Sequence, residues 1–302
     1  ELLITLGLPT IAVIAAFWIA ARFVKPAPPD TFVMTTGADG GAYHLFAQRY
    51  RDILARERIA IQLKPSAGSI ENLQRLQDGE SQVEAGLVQA GVTSGEPPAG
   101  LRSLGAVYYE PLWVFYRGKE EIDKPSQLSG KRLAIGPEGS GTRALALQLL
   151  KASGADNPPT KLLPLGGNDA VKALIDGTVD AALLVASPDA PTVQALAKAK
   201  DIKLASLVQA EAFTRRFPFL TAIRLPRGAI DLAADLPSRD VTLLTTTANL
   251  IVREDFHPAI GYLLLQAATE VHGRAGVLQK GGEFPSAPES EFPLADEAKR
   301  FY

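Results

Sequence analysis

From residue 31 onward the chain alternates short apolar runs of strand type with longer segments whose apolar residues recur at helical spacing. That alternation limits the fold more than any other feature. Residues 32–35 read as a strand, ended by Gly37, Gly40 and Gly41, and 43–56 carry Leu45, Phe46, Tyr50, Ile53 and Leu54 at helix spacing. A strand at 59–63, a helix at 70–77 and a strand at 85–88 follow. A second set of the same kind runs through 131–135, 142–152, 161–165, 170–176 and 181–185, with a further helix at 190–200. Strands interleaved with helices call for a mostly parallel sheet covered on both faces. Between the sets lies the long aromatic segment 101–117, interrupted by Pro111, which we expect to pass between two sheets. Strands near 221–225 and 241–252 and a helix at 258–271 complete the expectation, and the tail is unassigned. Two βαβαβ units joined by crossing segments make two lobes, with ligands expected beyond the carboxyl ends of the strands.

Composition bounds the function. The chain has 302 residues, enough for two domains, with 46% hydrophobic and 21% charged residues as in a folded globular protein. Its net charge of −2 gives no electrostatic footprint for nucleic acid. Cysteine is absent, which removes disulfides, thiolate metal sites and Cys nucleophiles. His44, His257 and His272 are far apart, so we expect no metal and no cofactor.

The first residues point to a membrane. The uncharged run LLITLGLPTIAVIAAFWIAA at 2–21 has the ~20 apolar residues that a spanning helix needs, with Trp18 near one end and Arg22 and Lys25 directly after it. A cleaved signal would have a shorter apolar core and a small-residue cleavage site after it. We therefore expect a transmembrane anchor at 1–25, a proline-rich spacer at 26–30, lobe one at 31–115 and 222–302, and lobe two at 116–221. The abrupt ends lead us to expect a longer natural protein, with membrane segments possible beyond Tyr302.

Three strand-to-helix turns carry the candidate chemistry: 36–43, 66–72 and 136–143. Each places glycines and hydroxyl residues where a helix begins, so unpaired N–H groups and the positive dipole end face the cleft, an arrangement suited to an anion. One such turn alone is an ordinary capped βα turn; three in a two-lobe pattern suggest a binding site. Gly37, Gly41 and Tyr43 come from the first turn, Ser66, Ser69 and Asn72 from the second, and Ser140, Thr142 and Arg143 from the third. The third approaches a phosphate loop but has Thr142 and Arg143 where that motif needs Lys and Ser or Thr, so nucleotide hydrolysis is not expected. Arg143 opposes the dipole in a first helical turn, which a bound carboxylate would explain and a solvated side chain would also allow. Ser140 has no His and Asp placed for a triad. Gln89, just past the third strand, is where a lobe-one contact should fall. Tyr109 fits either the cleft lining or the packing between lobes.

These segments resemble the TAXI family, the solute receptors associated with tripartite (TRAP) transporters. TTGADGGAYHLFAQRY, SAGSIENLQRLQDGE with AGLVQAG, LSGKRLAIGPEGSGTRALALQLL and GTVDAALLVASPDAP are similar to that family's successive motifs, over about 32–272. The resemblance implies an α/β two-lobed type II periplasmic-binding-protein fold with venus-flytrap closure, here preceded by an N-terminal transmembrane helix. It implies a small-molecule anion or amino acid as ligand and no catalysis. Position by position it points to Gly37, Tyr43, Ser66, Ser69, Asn72, Gln89, Ser140, Thr142 and Ser187. Expected partners are the membrane, through the N-terminal helix, and a TRAP membrane subunit or another membrane protein. The expected location is a bacterial cytoplasmic membrane, with the folded part on the periplasmic or extracellular side. The tether sets the chain apart from diffusing receptors, so a membrane-bound sensory, regulatory or assembly role is the alternative.

Overall fold

The computed structural model describes Thr10, residues 13–16, Trp18, and residues 27–93, 98–288 and 290–302. The expected anchor at 1–25 lies almost wholly outside the described residues, of which Thr10, 13–16 and Trp18 are helical. Among the described residues no helix is long and apolar enough to cross a membrane.

The folded part opens as the alternation predicts. β1 (Thr31–Thr35), α1 (Ala42–Leu54), β2 (Ala60–Lys64), α2 (Ser69–Gln77) and β3 (Ala85–Gln89) form the first unit. The long β4 (Leu101–Arg117) leads into β5 (Arg132–Ala134), α3 (Gly141–Ala152), β6 (Lys161–Leu163), α4 (Gly167–Ile175), β7 (Ala181–Val185) and α5 (Pro191–Lys198). β8 (Ile202–Leu204), α6 (Ala210–Arg216), β9 (Thr221–Leu225) and β10 (Val241–Arg253) return the chain, and α7 (Pro258–His272) and α8 (Asp296–Phe301) close it.

The strands form one hydrogen-bonded sheet in the order β2-β1-β3-β10-β4-β7-β5-β6, with β8 on β4 and β9 on β10. Pairing is parallel inside each unit (β1 with β2 and β3, β5 with β6 and β7) and antiparallel where β10 and β4 join them. The two halves are thus continuous through two strands that run across both.

Packing divides this sheet into two lobes. Phe32, Met34, Tyr50, Leu54, Leu250, Ile260 and Leu264 belong to one core under α1 and α7, and Leu73, Leu76, Val88 and Ile251 to a second on the α2 side. Along β4 the alternation of side chains sends Leu112, Val114 and Tyr116 to one lobe-two core, with α3 and α6, and Trp113 and Phe115 to the other, with α4 and α5. β10 does the same with Leu244 and Leu243. Both long strands thus contribute to the cores of both lobes, changing over near residue 111 on β4 and residues 245–247 on β10. The tail belongs to lobe one: Ser103 and Ala106 bridge Leu294 and Ser286, and the Tyr302 hydroxyl donates to Leu104 O at 3.0 Å.

Candidate functional site

Parallel pairing brings the carboxyl ends of β1, β2 and β3 to one edge of lobe one, and those of β5 and β7 to the facing edge of lobe two. The three glycine turns therefore meet, as the two-lobe pattern requires.

In lobe one most of the candidate side chains are committed to each other. Asn72 is fully buried. Its Nδ2 donates to Thr36 O at 2.6 Å and Leu87 O at 2.8 Å, and its Oδ1 accepts from Thr35 Oγ1 at 2.6 Å. Ser66 Oγ lies 2.6 Å from the same Oδ1 and 2.7 Å from Thr36 O, and accepts from Gly68 N at 3.1 Å. This knot ties the ends of β1, β2 and β3 to α2. Asn72 and Ser66 thus spend these bonds inside lobe one, holding the turns after β1 and β2.

A second chain of bonds runs beside the knot. Gln89 N donates to Ser69 Oγ at 2.9 Å, Ser69 Oγ lies 3.0 Å from the Tyr43 hydroxyl, and that hydroxyl donates to Glu110 Oε2 at 2.9 Å. Tyr108 donates to the other oxygen, Oε1, at 3.3 Å. Burial raises the Glu110 pKa to about 7, against the pull of the two tyrosyl hydrogen bonds. Burial, then the Glu110 charge, pushes the Tyr43 and Tyr108 hydroxyls well above the usual phenol range.

The lobes touch through backbone. Ile70 N and Glu71 N, at the start of α2, both donate to Gly139 O of lobe two, at 3.1 and 3.4 Å. Gln89 Nε2 donates to Gly141 O at 3.3 Å. Gly68 precedes α2 at φ +130°, a conformation that favours glycine, and a Cβ there would sit in ordinary contact with lobe two, 3.4 Å from Ser140 Cα. Gly141 is pressed far harder, since a Cβ there would lie 2.5 Å from Gln89 Oε1. Gly37 packs under Tyr43, and Gly41 caps α1 through backbone alone.

Lobe two presents its candidates less bound. Ser140 caps α3: its Oγ accepts from Arg143 N at 3.2 Å and donates to Pro137 O at 2.7 Å. Arg143 is half-buried, and its fully buried Nη1 has no hydrogen-bond partner among the described residues. Thr142 and Ser187 are half-buried, and their hydroxyls enter none of the bonds above. Ser187 follows β7, on the same sheet edge as the turn after β5, and its carbonyl accepts from Ala190 N.

Tyr109 is not part of this meeting. On a strand it projects opposite to Tyr108 and Glu110. Its hydroxyl donates to Glu283 Oε1 at 2.7 Å and its ring meets Phe284 edge-on at 4.8 Å. Burial and Glu283 push that hydroxyl up to about 12. Sequence reasoning missed Glu110, although a lone carboxylate at the centre of an otherwise apolar crossing strand was a visible signal. It also missed Gly139, whose part is played by a carbonyl that no side-chain pattern reports.

The arrangement offers hydrogen-bond donors, a cation and a buried acid between two lobes. Among the described residues there is no grouping of His, Asp or Glu that could hold a metal. Among solved structures, a protein from Bordetella bronchiseptica RB50 is 14% identical, with TM-score 0.56 over 91% of this chain and 98% of that one. The alkanesulfonate-binding protein SsuA from Xanthomonas axonopodis pv. citri, bound to MOPS, is 18% identical, with TM-score 0.51 over 82% and 75%. The CcmR regulatory domain of Synechocystis PCC6803, in complex with 2-PG, is 15% identical, with TM-score 0.51 over 81% and 98%. At such identities the likeness is one of fold: a two-lobed α/β architecture of periplasmic-binding-protein type. The profile of the NMT1-like family matches residues 34–280, most of the folded part, and the chain belongs to that family.

Proposed function

We propose that this chain is a membrane-tethered, extracytoplasmic solute receptor of TAXI type, which closes its lobes on a small carboxylate-bearing molecule and performs no chemistry on it. The observation that carries the reading is Arg143. It sits in the first turn of α3, where the helix dipole disfavours a cation, and its buried Nη1 has no acceptor. A buried guanidinium N–H without a partner costs about 1–3 kcal/mol or more, and a carboxylate oxygen is the group that fits its fork. The start of α2 supports the same chemistry, because Ile70 N and Glu71 N already converge on one oxygen, that of Gly139. A ligand oxygen binding there would replace that carbonyl as the lobes part.

A thermal-shift panel of amino acids and dicarboxylates tests this reading. At least one should raise the melting temperature, and Arg143→Ala should reduce that shift at the same ligand concentration while leaving the unliganded protein as stable. No shift with any member would count against it. The tether is tested separately, by whether the natural full-length protein stays in the membrane fraction through an alkaline wash. Association with a TRAP membrane subunit belongs to the same proposal, and co-purification with it from membranes is the check.

A second reading, a membrane-bound sensory, regulatory or assembly protein, draws on the direct bonds between lobes, Ile70 and Glu71 to Gly139 and Gln89 to Gly141. It predicts no ligand shift across the panel and a solution scattering profile that no panel member changes.

A further inference from the structure

Where β4 crosses between lobes it carries a carboxyl group that the fold does not pair with a cation. Glu110 lies opposite Thr246 of β10 and is 6% exposed. Its oxygens accept from the Tyr43 and Tyr108 hydroxyls, and among the described residues no Lys, Arg or His nitrogen lies within 4.0 Å of them. The groups facing it are neutral ones: Tyr43 from α1, Tyr108 from β4 itself and, stacked on Tyr108, His272 of α7. Burial, then the Arg49 charge, lowers the His272 pKa to about 3 and keeps it uncharged. From α2 and β3 come Ser69 and Gln89, neither ionisable.

A carboxylate offers about four acceptor positions, so two hydroxyls leave capacity for further donors. Burying its charge without a counter-charge is costly, and a partner that brings one is favoured strongly. The carboxyl is also joined to the place where the lobes meet. Tyr43 links it to Ser69, and a Cβ on Gly141 of lobe two would lie 3.1 Å from Ser69 Oγ. A solute between the lobes would thus lie near an unpartnered guanidinium nitrogen of Arg143 and, behind the Ser69 and Tyr43 hydroxyls, a carboxyl without a counter-charge.

We propose that Glu110 is a specificity-determining residue of the inter-lobe site, selecting solutes that carry a protonated nitrogen. The inference rests on the reading that a solute binds between the lobes, and it adds a charge requirement that the three turns do not impose.

Calorimetry with probes paired by the presence of an amino group tests it: glutamate with glutarate, aspartate with succinate, leucine with 4-methylpentanoate. The amino-bearing member of a binding pair should be preferred by about 10-fold or more. Glu110→Gln should erase that preference while changing affinity for the amine-free member by less than about threefold. A readout on the unaltered protein guards against a misfolded variant. A cation beside Glu110 drives it to ionise, so binding at pH 7 should release about half a proton, measured in buffers of different ionisation enthalpy. Equal or tighter binding of the amine-free members, or proton uptake, overturns the inference and leaves solute binding intact. If no probe of either kind binds, the solute-receptor reading falls and the inference falls with it.

Discussion

The two edges that meet across the cleft are built from similar turns and used differently. In lobe one, Ser66, Asn72, Thr35 and Thr36 satisfy one another in a knot with no hydrogen-bonding capacity to spare. In lobe two, the turn 136–143 spends only Ser140 on its own cap, and leaves Thr142 outside the network and Arg143 with an unpartnered nitrogen. The contrast separates two roles that look alike in sequence. A buried polar side chain that is fully satisfied rigidifies a loop, whereas an unsatisfied one is available to a ligand. On the proposed function, lobe one would present backbone donors and lobe two the charged grip.

Substitutions can break this comparison in order of effect. Asn72→Ala should be the most damaging, because it takes the amide donor from the Thr36 and Leu87 carbonyls and the acceptor from Thr35 Oγ1, and frees three segments at once; we expect a loss of about 3–5 kcal/mol by chemical denaturation. A variant less than about 1 kcal/mol destabilised would mean that the knot is not what holds lobe one.

The buried acid and the buried histidine come next, and they act with opposite signs. Glu110 has a folded value near 7 against a free value of 4.5, so its contribution is full below pH 4.5 and is lost as pH rises through 7. His272, near 3 against 6.5, favours the fold above pH 6.5, and that contribution is lost as pH falls toward 3. The two slopes cancel between about pH 4.5 and 6.5. Glu110→Gln should leave stability at pH 4 unchanged and raise it at pH 8 by up to about 3 kcal/mol, so that stability climbs until pH 6.5. Parallel curves for the two proteins would show that Glu110 does not titrate in this range.

Gly68→Ala should cost about 1–3 kcal/mol, from its positive φ. Ser140→Ala is the mildest, about 1 kcal/mol for a lost cap. If Ser140→Ala destabilised as much as Asn72→Ala, the division of roles between the lobes would be wrong.

Much of this was legible in the residues. Periodicity placed nearly every strand and helix up to 200, and the long apolar run 101–117 announced a strand spanning both units. The seven-residue α6 was not seen, because its sequence AEAFTRR is too short and polar for a helical stripe to show. The tail docks through isolated bridges, the Tyr302 hydroxyl and scattered apolar residues such as Phe292, Ala295 and Ala298, which carry no periodic signature. Within the site, residue types identified the turns but not which polar groups would be used up internally. That depends on tertiary partners such as Leu87 O and Gly139 O, which are backbone atoms without a sequence signal. Tyr109 and Glu110 show the limit most sharply: adjacent on a strand, they face opposite sides, and the aromatic neighbour drew attention from the acid.

The claim that lobe two grips a carboxylate is tested most directly by calorimetric titration of the wild-type protein and Arg143→Ala with the same amino acids and dicarboxylates. We expect saturable binding by the wild type and a loss of about 10- to 100-fold in the variant, the scale of a charge-assisted hydrogen bond. Undiminished affinity in a folded Arg143→Ala protein would contradict the account.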